Sequence, residues 1–351
     1  MKSSVIIAAY NGERFILEQL NSIINQTVLP SEIVISDDGS NDKTIEIITS
    51  FFEQHNDLPI DFHLVFNKSE NRGVLGNFQN AFDNSHGEYV FFCDQDDVWF
   101  PNKIERCINT LEDAEEQVLI HNAQVLKETE DGTFSPIDKH LLGWSPEDSD
   151  GTYKVNGSLH VSSSFYYCLI QGMCMCVKRD YLLSISPFSK GSNHDNWILF
   201  CASVDDSILA VTEDLGYYRI HKDNTAGIPE YKKKRPLPDR LSTFDSKGKE
   251  SIIKQYIWYK DTSAYLDNRI IPNDQVKKMI LFFSQKRVEA VSKNKLLASY
   301  DLIRAYQSGA YEIDGKILFL HDIAFVWLHS HKTRKAMIDN LDSQLRSSNY
   351  Q

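Results

Sequence analysis

Residues 88–99, Glu88-Tyr-Val-Phe-Phe-Cys-Asp94-Gln-Asp96-Asp97-Val-Trp99, join an apolar run to three carboxylates within four residues. Crowding acids at the end of a buried strand raises both repulsion and desolvation cost, so a cation or strong donors must compensate. A divalent metal is the natural compensator. Mg²⁺ and Mn²⁺ prefer hard oxygen ligands, and Mg²⁺ fills its shell with one or two carboxylates plus phosphate oxygens and water. The spacing therefore predicts Asp94, Asp96 and Asp97 beside a phosphorylated ligand; the competing reading is a polar loop that happens to be acidic.

The elements that must position these acids are short β-branched or aromatic runs: Val5 to Ala9, Glu32 to Ser36, Phe62 to Phe66 and Tyr89 to Cys93. Amphipathic stretches from Glu13 to Asn25 and Asp42 to Glu53, and a third near Leu75 to Phe82, alternate with them. Strands alternating with helices predict an α/β fold with a mostly parallel central sheet, and such sheets bind ligands beyond the carboxyl ends of their strands. Those ends carry Tyr10-Asn11, Asp37-Asp38-Gly39-Ser40, Asn67 and the acid cluster. Asp37, Asp38 and Asp42 also suit a turn followed by a helix cap, a role that fits Asp42 better than Asp38. Residues 130–165 read as loops and short strands bordering an acceptor cleft. Residues 171–177 read as a strand, Trp197 to Val204 as a helix, and Ile208 to Thr212 and Gly216 to Ile220 as two closing strands. After Pro229 a basic run, Lys232 to Arg235, opens a mainly helical region, so the predicted domains are 1–230 and 231–351.

The 351 residues are 42% hydrophobic, enough for about two domains with sizeable cores. Residues 1–230 hold 15 Lys and Arg against 36 Asp and Glu, whereas 231–351 hold 22 against 13. An acidic front part argues against nucleic-acid binding. A basic rear part suits anionic lipid, a phosphorylated acceptor or an ordinary solvated surface. The six cysteines, Cys93, Cys107, Cys168, Cys174, Cys176 and Cys201, show no C-x-x-C pair or zinc spacing, so reduced thiols in a cytoplasmic protein are expected. Met1-Lys2 leads directly into the six apolar-leaning residues Val5 to Tyr10, a first strand rather than a signal peptide. The run Ile317 to Leu328, broken by His321-Asp322, is shorter than the ~20 residues that span a bilayer. Its following cations suit a peripheral contact with the inner membrane face; a buried helix or self-association fits equally.

Several ordered motifs resemble family-two glycosyltransferases with a GT-A (Rossmann-like) fold, particularly bacterial rhamnosyltransferase-like members that build surface polysaccharide. They are Val5-Ile-Ile-Ala-Ala-Tyr-Asn-Gly12, Ile35-Ser-Asp-Asp-Gly-Ser-Asn-Asp42, Asn71-Arg-Gly73 with Asn77-Phe78, and Gly87 to Trp99. His194-Asp195 with Trp197, and Tyr218-Arg-Ile-His-Lys-Asp-Asn224 with Gly227, complete the set across the first two thirds of the chain. The resemblance implies a nucleotide pocket of Ala8, Tyr10, Asn11 and Asp38, the Asp38 carboxylate accepting the pyrimidine N3–H of a uracil or thymine. It implies Asp94 against the ribose or a metal-bound water, Asp96 as ligand of Mn²⁺ or Mg²⁺, and Asp97 sharing that duty. Asp195 is the candidate base for a single inverting displacement, with His194 orienting it. His221 is a candidate diphosphate or metal contact with Arg219 as its cationic partner, and Arg72 a candidate phosphate clamp. The donor implied is a dTDP- or UDP-sugar, and the acceptor a saccharide or lipid-linked oligosaccharide.

A processive synthase is disfavoured because no Gln-x-x-Arg-Trp motif occurs, and a nucleotidyltransferase because the first loop, Ala8 to Glu13, has few glycines and no cation before Arg14. A non-catalytic carbohydrate-binding or scaffold protein on the same fold is the reading from another class.

Overall fold

Apolar runs become central strands here because both of their faces are covered. β1 (Ser3–Ala9) and β2 (Glu32–Asp37) are buried over nearly their whole length, and so is β4 (Tyr89–Asp94). That is the pattern of parallel strands packed between helices. β3 (Asp61–Phe66) alternates towards solvent and forms the edge beside β2. The structure, a computed structural model, describes residues 2–68, 72–141, 152–154, 170–222, 224, 258, 261–262, 264–265, 293–307, 327, 330 and 332. Asn71, Cys168, Gly227, the basic run 232–235, nearly all of 317–328 and much of 142–165 lie outside them.

The sheet runs β3-β2-β1-β4-β9-β6-β10-β5 among the described residues, where β5 is Val98–Trp99, β6 Val118–Glu128, β9 Met175–Lys178 and β10 Ile208–Ile220. Parallel pairs join β3, β2, β1 and β4, and another joins β6 to β10. β9 lies antiparallel between β4 and β6, so six strands share one direction. β7 (Phe134–His140) and β8 (Thr152–Lys154) pair antiparallel with β6 and β10. This is the mixed, mostly parallel α/β sheet that the alternation of elements predicts.

Three helices cover the early strands. α1 (Ile16–Ile24) buries Ile16, Gln19, Leu20 and Ile23, spaced to make one face, against the core. α2 (Thr44–Gln54) buries Thr44, Ile48 and Phe51. α3 (Val74–Asp83) buries Gly76, Asn77, Phe78, Ala81 and Phe82. α4 (Lys103–Leu111), α5 (Arg179–Ile185) and α6 (His194–Val204) follow later.

Register brings the functional ends together. Ala8 stands opposite both Asp94 and Ser36, and Ala9 opposite Asp37, so β1, β2 and β4 finish in one row. The short β5 pairs antiparallel with Gly216 and Tyr217 of β10, which carries the end of that strand back to the acid loop. A Cβ on Gly216 would lie 2.8 Å from the Val98 carbonyl oxygen, so this pairing needs glycine.

Two expectations are corrected. The paired closing strands are one strand, β10, with register shifts around Asp214 that mark bulges rather than a break. Residues 171–177 divide into a 3-10 turn, Gly172–Cys174, and the start of β9. The chain divides into a unit of Met1–His160, Tyr167–Phe188 and Asn193–Tyr231, and a second of Val161–Tyr166, Ser189–Ser192 and Lys232–Gln351. The second unit contains α7 (Lys295–Gln307), on which Leu296, Leu297, Tyr300 and Ile303 are exposed. Among the described residues no helix is long and apolar enough to cross a membrane.

Candidate active site

The end of β1 is shaped by its neighbours. Asn11 adopts a φ of 48°, a left-handed conformation that asparagine tolerates. Its amide N–H donates to Ser40 Oγ and its side-chain oxygen accepts from Asn41 N–H, which locks the two loops after β1 and β2 together. Asp37 is buried and holds the Gly39 and Ser40 N–H groups, a turn-building role. Asp42 accepts from Thr44 N–H and Glu13 N–H and so caps the start of α2. Asp38 differs: its oxygens accept from Asn67 Nδ2 at 2.9 Å and Gly73 N–H at 2.8 Å. A carboxylate has about four acceptor positions, so these bonds leave room for a third donor. Arg72 donates to the Asp38 carbonyl and lies over Gly39, so the described contacts of this largely exposed guanidinium are with the β2 loop.

Gln95, which the motif reading passed over, joins the first loop to the acids. Its side chain accepts from Tyr10 N–H at 2.9 Å and donates to the Tyr10 carbonyl at 3.0 Å. A Cβ on Gly12 would lie 2.3 Å from Gln95 Oε1, so the close approach depends on that glycine.

The acids then separate by environment. Burial, with Asp96 and Asp195 nearby and against the pull of Lys103, pushes the Asp94 carboxyl up to about 8. Asp94 therefore feels both the acid loop and the proposed base. Asp97 is 1% exposed; its Oδ1 accepts from Arg219 N–H and its Oδ2 finds no hydrogen-bond partner among the described residues. Burial, then Asp96 and Asp94, hold its carboxyl well above the usual range. Asp96 reaches across to the end of β10, where its Oδ2 lies 2.9 Å from His221 Nε2. Asn224, absent from the residues proposed from sequence, accepts the His221 N–H and donates to the Arg219 carbonyl, closing the turn that aims His221. The Phe15 ring, 4.4 Å from the imidazole by centroids, backs it.

Arg219 does not stand free as a cation for phosphate. Its guanidinium lies 2.5 Å from a Glu18 carboxylate oxygen and between the Phe15 and Phe134 rings, at 5.6 and 5.2 Å from their centroids. Its buried, stacked position makes it a strut between β10, α1 and β7 instead.

Asp195 occupies the first turn of α6, is 5% exposed and accepts from Asn196 N–H. His194 packs into the core, with ring centroids 4.1 Å from Phe78 and 4.8 Å from Phe92. Among the described residues neither of its nitrogens has a hydrogen-bond partner, and burial lowers its pKa, so it serves as a neutral aromatic spacer. Trp99 is buried, and so are Cys93, Cys107, Cys174, Cys176 and Cys201 among the described residues.

Another group missed by sequence reading sits beneath the acids. Lys103 is fully buried; its ammonium donates to the Met173 carbonyl at 2.6 Å and lies 3.8 Å from the Trp99 ring centroid. Burial lowers its pKa, while the Cys174, Cys107 and Cys93 thiols and Asp97 oppose that fall.

The donor set suits a divalent cation. Two carboxyls reluctant to ionise and one buried carboxylate oxygen without a donor mark a place short of positive charge. Among the described residues no group of three or more His, Cys, Asp or Glu side chains gathers closely enough to cage an ion. Asp96 and His221 are the pair that would hold such an ion, a sparse protein shell of the kind Mg²⁺ accepts.

Comparison with known proteins agrees with this geometry. Residues 4–164, spanning β1 to β8 and the acid loop, match the family described as Glycosyl transferase family 2. Over these residues the chain is similar to that family. An uncharacterized glycosyltransferase of Nostoc sp. is 30% identical over 227 residues, covering 64% of this chain and 66% of its own. The Bacillus subtilis glycosyltransferase YwdF is 28% identical over 166 residues, covering 46% of this chain and 58% of its own. The chain thus spans 66% or less of these relatives' lengths. The fold is shared with S. aureus TarS 1-349 in complex with UDP-GlcNAc, at a TM-score of 0.58 and 17% identity, covering 100% of this chain and 93% of that one.

Proposed function

We propose that the chain is a metal-dependent, inverting and non-processive glycosyltransferase that moves a sugar from a nucleoside-diphosphate donor to a hydroxyl of a saccharide or lipid-linked oligosaccharide. One observation carries this reading: the acid loop follows β4, whose end stands in register with those of β1 and β2, and there Asp96 Oδ2 lies 2.9 Å from His221 Nε2 at the end of β10. The ends of these strands therefore converge where a donor would bind.

In this mechanism the residues from Ala8 to Asn11 line the nucleotide, and Asp38 accepts the N3–H of its pyrimidine. Asp96 and His221 would hold Mn²⁺ or Mg²⁺, which when bound would supply positive charge for the departing diphosphate. Asp94 faces the donor ribose or an inner water, while Asp97 braces the loop through Arg219 N–H. Asp195 removes the acceptor proton as the hydroxyl attacks the anomeric carbon from the face opposite the leaving group.

Resemblance to rhamnosyltransferase-like proteins favours dTDP-rhamnose, and the UDP-GlcNAc of the TarS complex makes a UDP-hexose the second donor class. Nucleoside-diphosphate release from a panel of donors with Mn²⁺ or Mg²⁺ separates them. Release from none, with intact saccharide binding, would favour the non-catalytic reading. The proposed role of the basic 231–351 region is contact with an anionic membrane face at the cytoplasmic side, using exposed apolar residues beside cations. Binding to anionic liposomes at low salt is expected, and none would remove that proposal.

A further inference from the structure

We propose that Arg14, Glu128 and Phe134 form a clamp that docks the β6–β7 hairpin onto the turn between β1 and α1 and so aims His221 at Asp96. They are positioning residues, and the proposal rests on the functional reading above, in which Asp96 and His221 would hold the metal.

His221 needs support because of where it stands. It follows the last residue of β10, so the ladder to β6, which ends at the pair of Ile220 with Lys127, no longer fixes it. Asn224 accepts its N–H and closes the turn on one side. On the other, the next amide, Lys222 N–H, donates to the Glu128 carboxylate. The Phe15 ring covers the imidazole with planes 31° apart, and the Phe134 ring meets it edge-on at 6.5 Å between centroids. Glu128 is the last residue of β6 and Phe134 the first of β7, so the tip of the hairpin supplies two of these supports.

Arg14 holds that tip in place. Its Nη2 donates to Glu128 Oε1 at 2.5 Å and to the Gly132 carbonyl at 3.1 Å. Its guanidinium carbon lies 4.7 Å from the Phe15 centroid and 5.7 Å from that of Phe134. A partly exposed ion pair alone contributes little to stability. Here the same guanidinium also binds a backbone carbonyl and rests against two rings, which its planar, delocalised charge allows. The turn it grips is already shaped: Gly132 has a φ of 82°, and Asp131 Oδ1 accepts from Thr129 Oγ1 and Thr133 N–H. A chain of contacts therefore runs from Arg14 through Glu128 and Phe134 to both the ring and the backbone around His221. Removing Arg14 should leave the imidazole in place less of the time without touching the nucleotide pocket.

The test compares the parent protein with Arg14→Ala, Arg14→Lys and Phe134→Leu. Calorimetry measures binding of whichever of UDP, dTDP or GDP the parent binds, with Mn²⁺ and with chelator, and thermal unfolding reports folding. Arg14→Ala is expected to weaken Mn²⁺-dependent binding by about tenfold, the lower end of the range for groups that orient a metal ligand, and to leave binding in chelator near the parent value. Arg14→Lys, which keeps the charge, should recover part of the loss, and Phe134→Leu should weaken Mn²⁺-dependent binding in the same way. In a His221→Ala background, Arg14→Ala should change the Mn²⁺-dependent affinity by no more than about twofold, because the clamp then has nothing to aim. A folded Arg14→Ala with parent-like binding, altered only in melting temperature, overturns the proposal. An equal loss with and without Mn²⁺ also overturns it, as does a full tenfold loss in the His221→Ala background. If Arg14→Ala does not fold, parent-like Mn²⁺-dependent binding by Phe134→Leu overturns it. A parent that binds none of the three nucleotides with Mn²⁺, or a His221→Ala protein that binds as the parent does, refutes instead the reading on which the proposal rests.

Discussion

At the scale of single residues, the site divides carboxylates among distinct duties by what surrounds them. Asp37 and Asp42 spend their oxygens on backbone N–H groups of turns, whereas Asp96 faces the His221 imidazole. Asp195→Asn keeps size and shape but removes the proton acceptor. Its turnover should fall by about 10² to 10⁴, with calorimetric affinity for the nucleotide little changed; near-normal turnover would exclude Asp195 as base. Asp96→Ala removes one side of the Asp96–His221 pair and should weaken metal-dependent nucleotide binding by about tenfold or more, or ~1.4 kcal/mol and upward. Equal affinity in the variant, measured with saturating Mn²⁺, would move the metal elsewhere.

At the scale of elements, close backbone approach fixes where the strands end. A Cβ on Gly87 would lie 2.5 Å from the Ser4 backbone nitrogen, and Gly87 N–H already donates to Ser4 Oγ at 2.7 Å. Gly87→Ala must therefore shift β4 against β1, with an expected loss of about 1–3 kcal/mol in chemical denaturation; an unchanged midpoint would show that the strands yield freely. The first four strands were legible because short runs rich in β-branched and aromatic residues ended in turn residues. β6 was not, since His121-Asn122 interrupts its apolar pattern although both are buried. The acid cluster was visible from spacing alone. Gln95, Lys103 and Asn224 were not, because an amide or a lysine takes its meaning from partners distant in sequence. Arg219 shows the same dependence: its motif position suggested a cationic partner for His221, and its described contacts are with Glu18, Phe15 and Phe134.

At the scale of the whole molecule, charge governs the response to acid and the affinity for a donor. Glu32 lies at the opposite end of β2 from the site; burial would raise its pKa, but bonds from the Ser4 hydroxyl and the His86 and Gly87 N–H groups outweigh this and lower it. A depressed carboxyl stabilises the fold above its ordinary value of 4.5, and that stabilisation is lost as pH falls through the folded value. Glu32→Gln should therefore lower the melting temperature at neutral pH and flatten its decline on acidification; parallel curves for parent and variant would contradict this. The central claim concerns the other end of the sheet, where acids short of positive charge await a metal and a diphosphate. Calorimetric titration of the parent protein with UDP, dTDP and GDP, each with Mn²⁺ and with chelator, tests it most directly. The account predicts that one of these nucleotides binds with Mn²⁺ and that chelation weakens this binding by at least about tenfold. Binding that is indifferent to chelation, or absent for all three nucleotides, would contradict it.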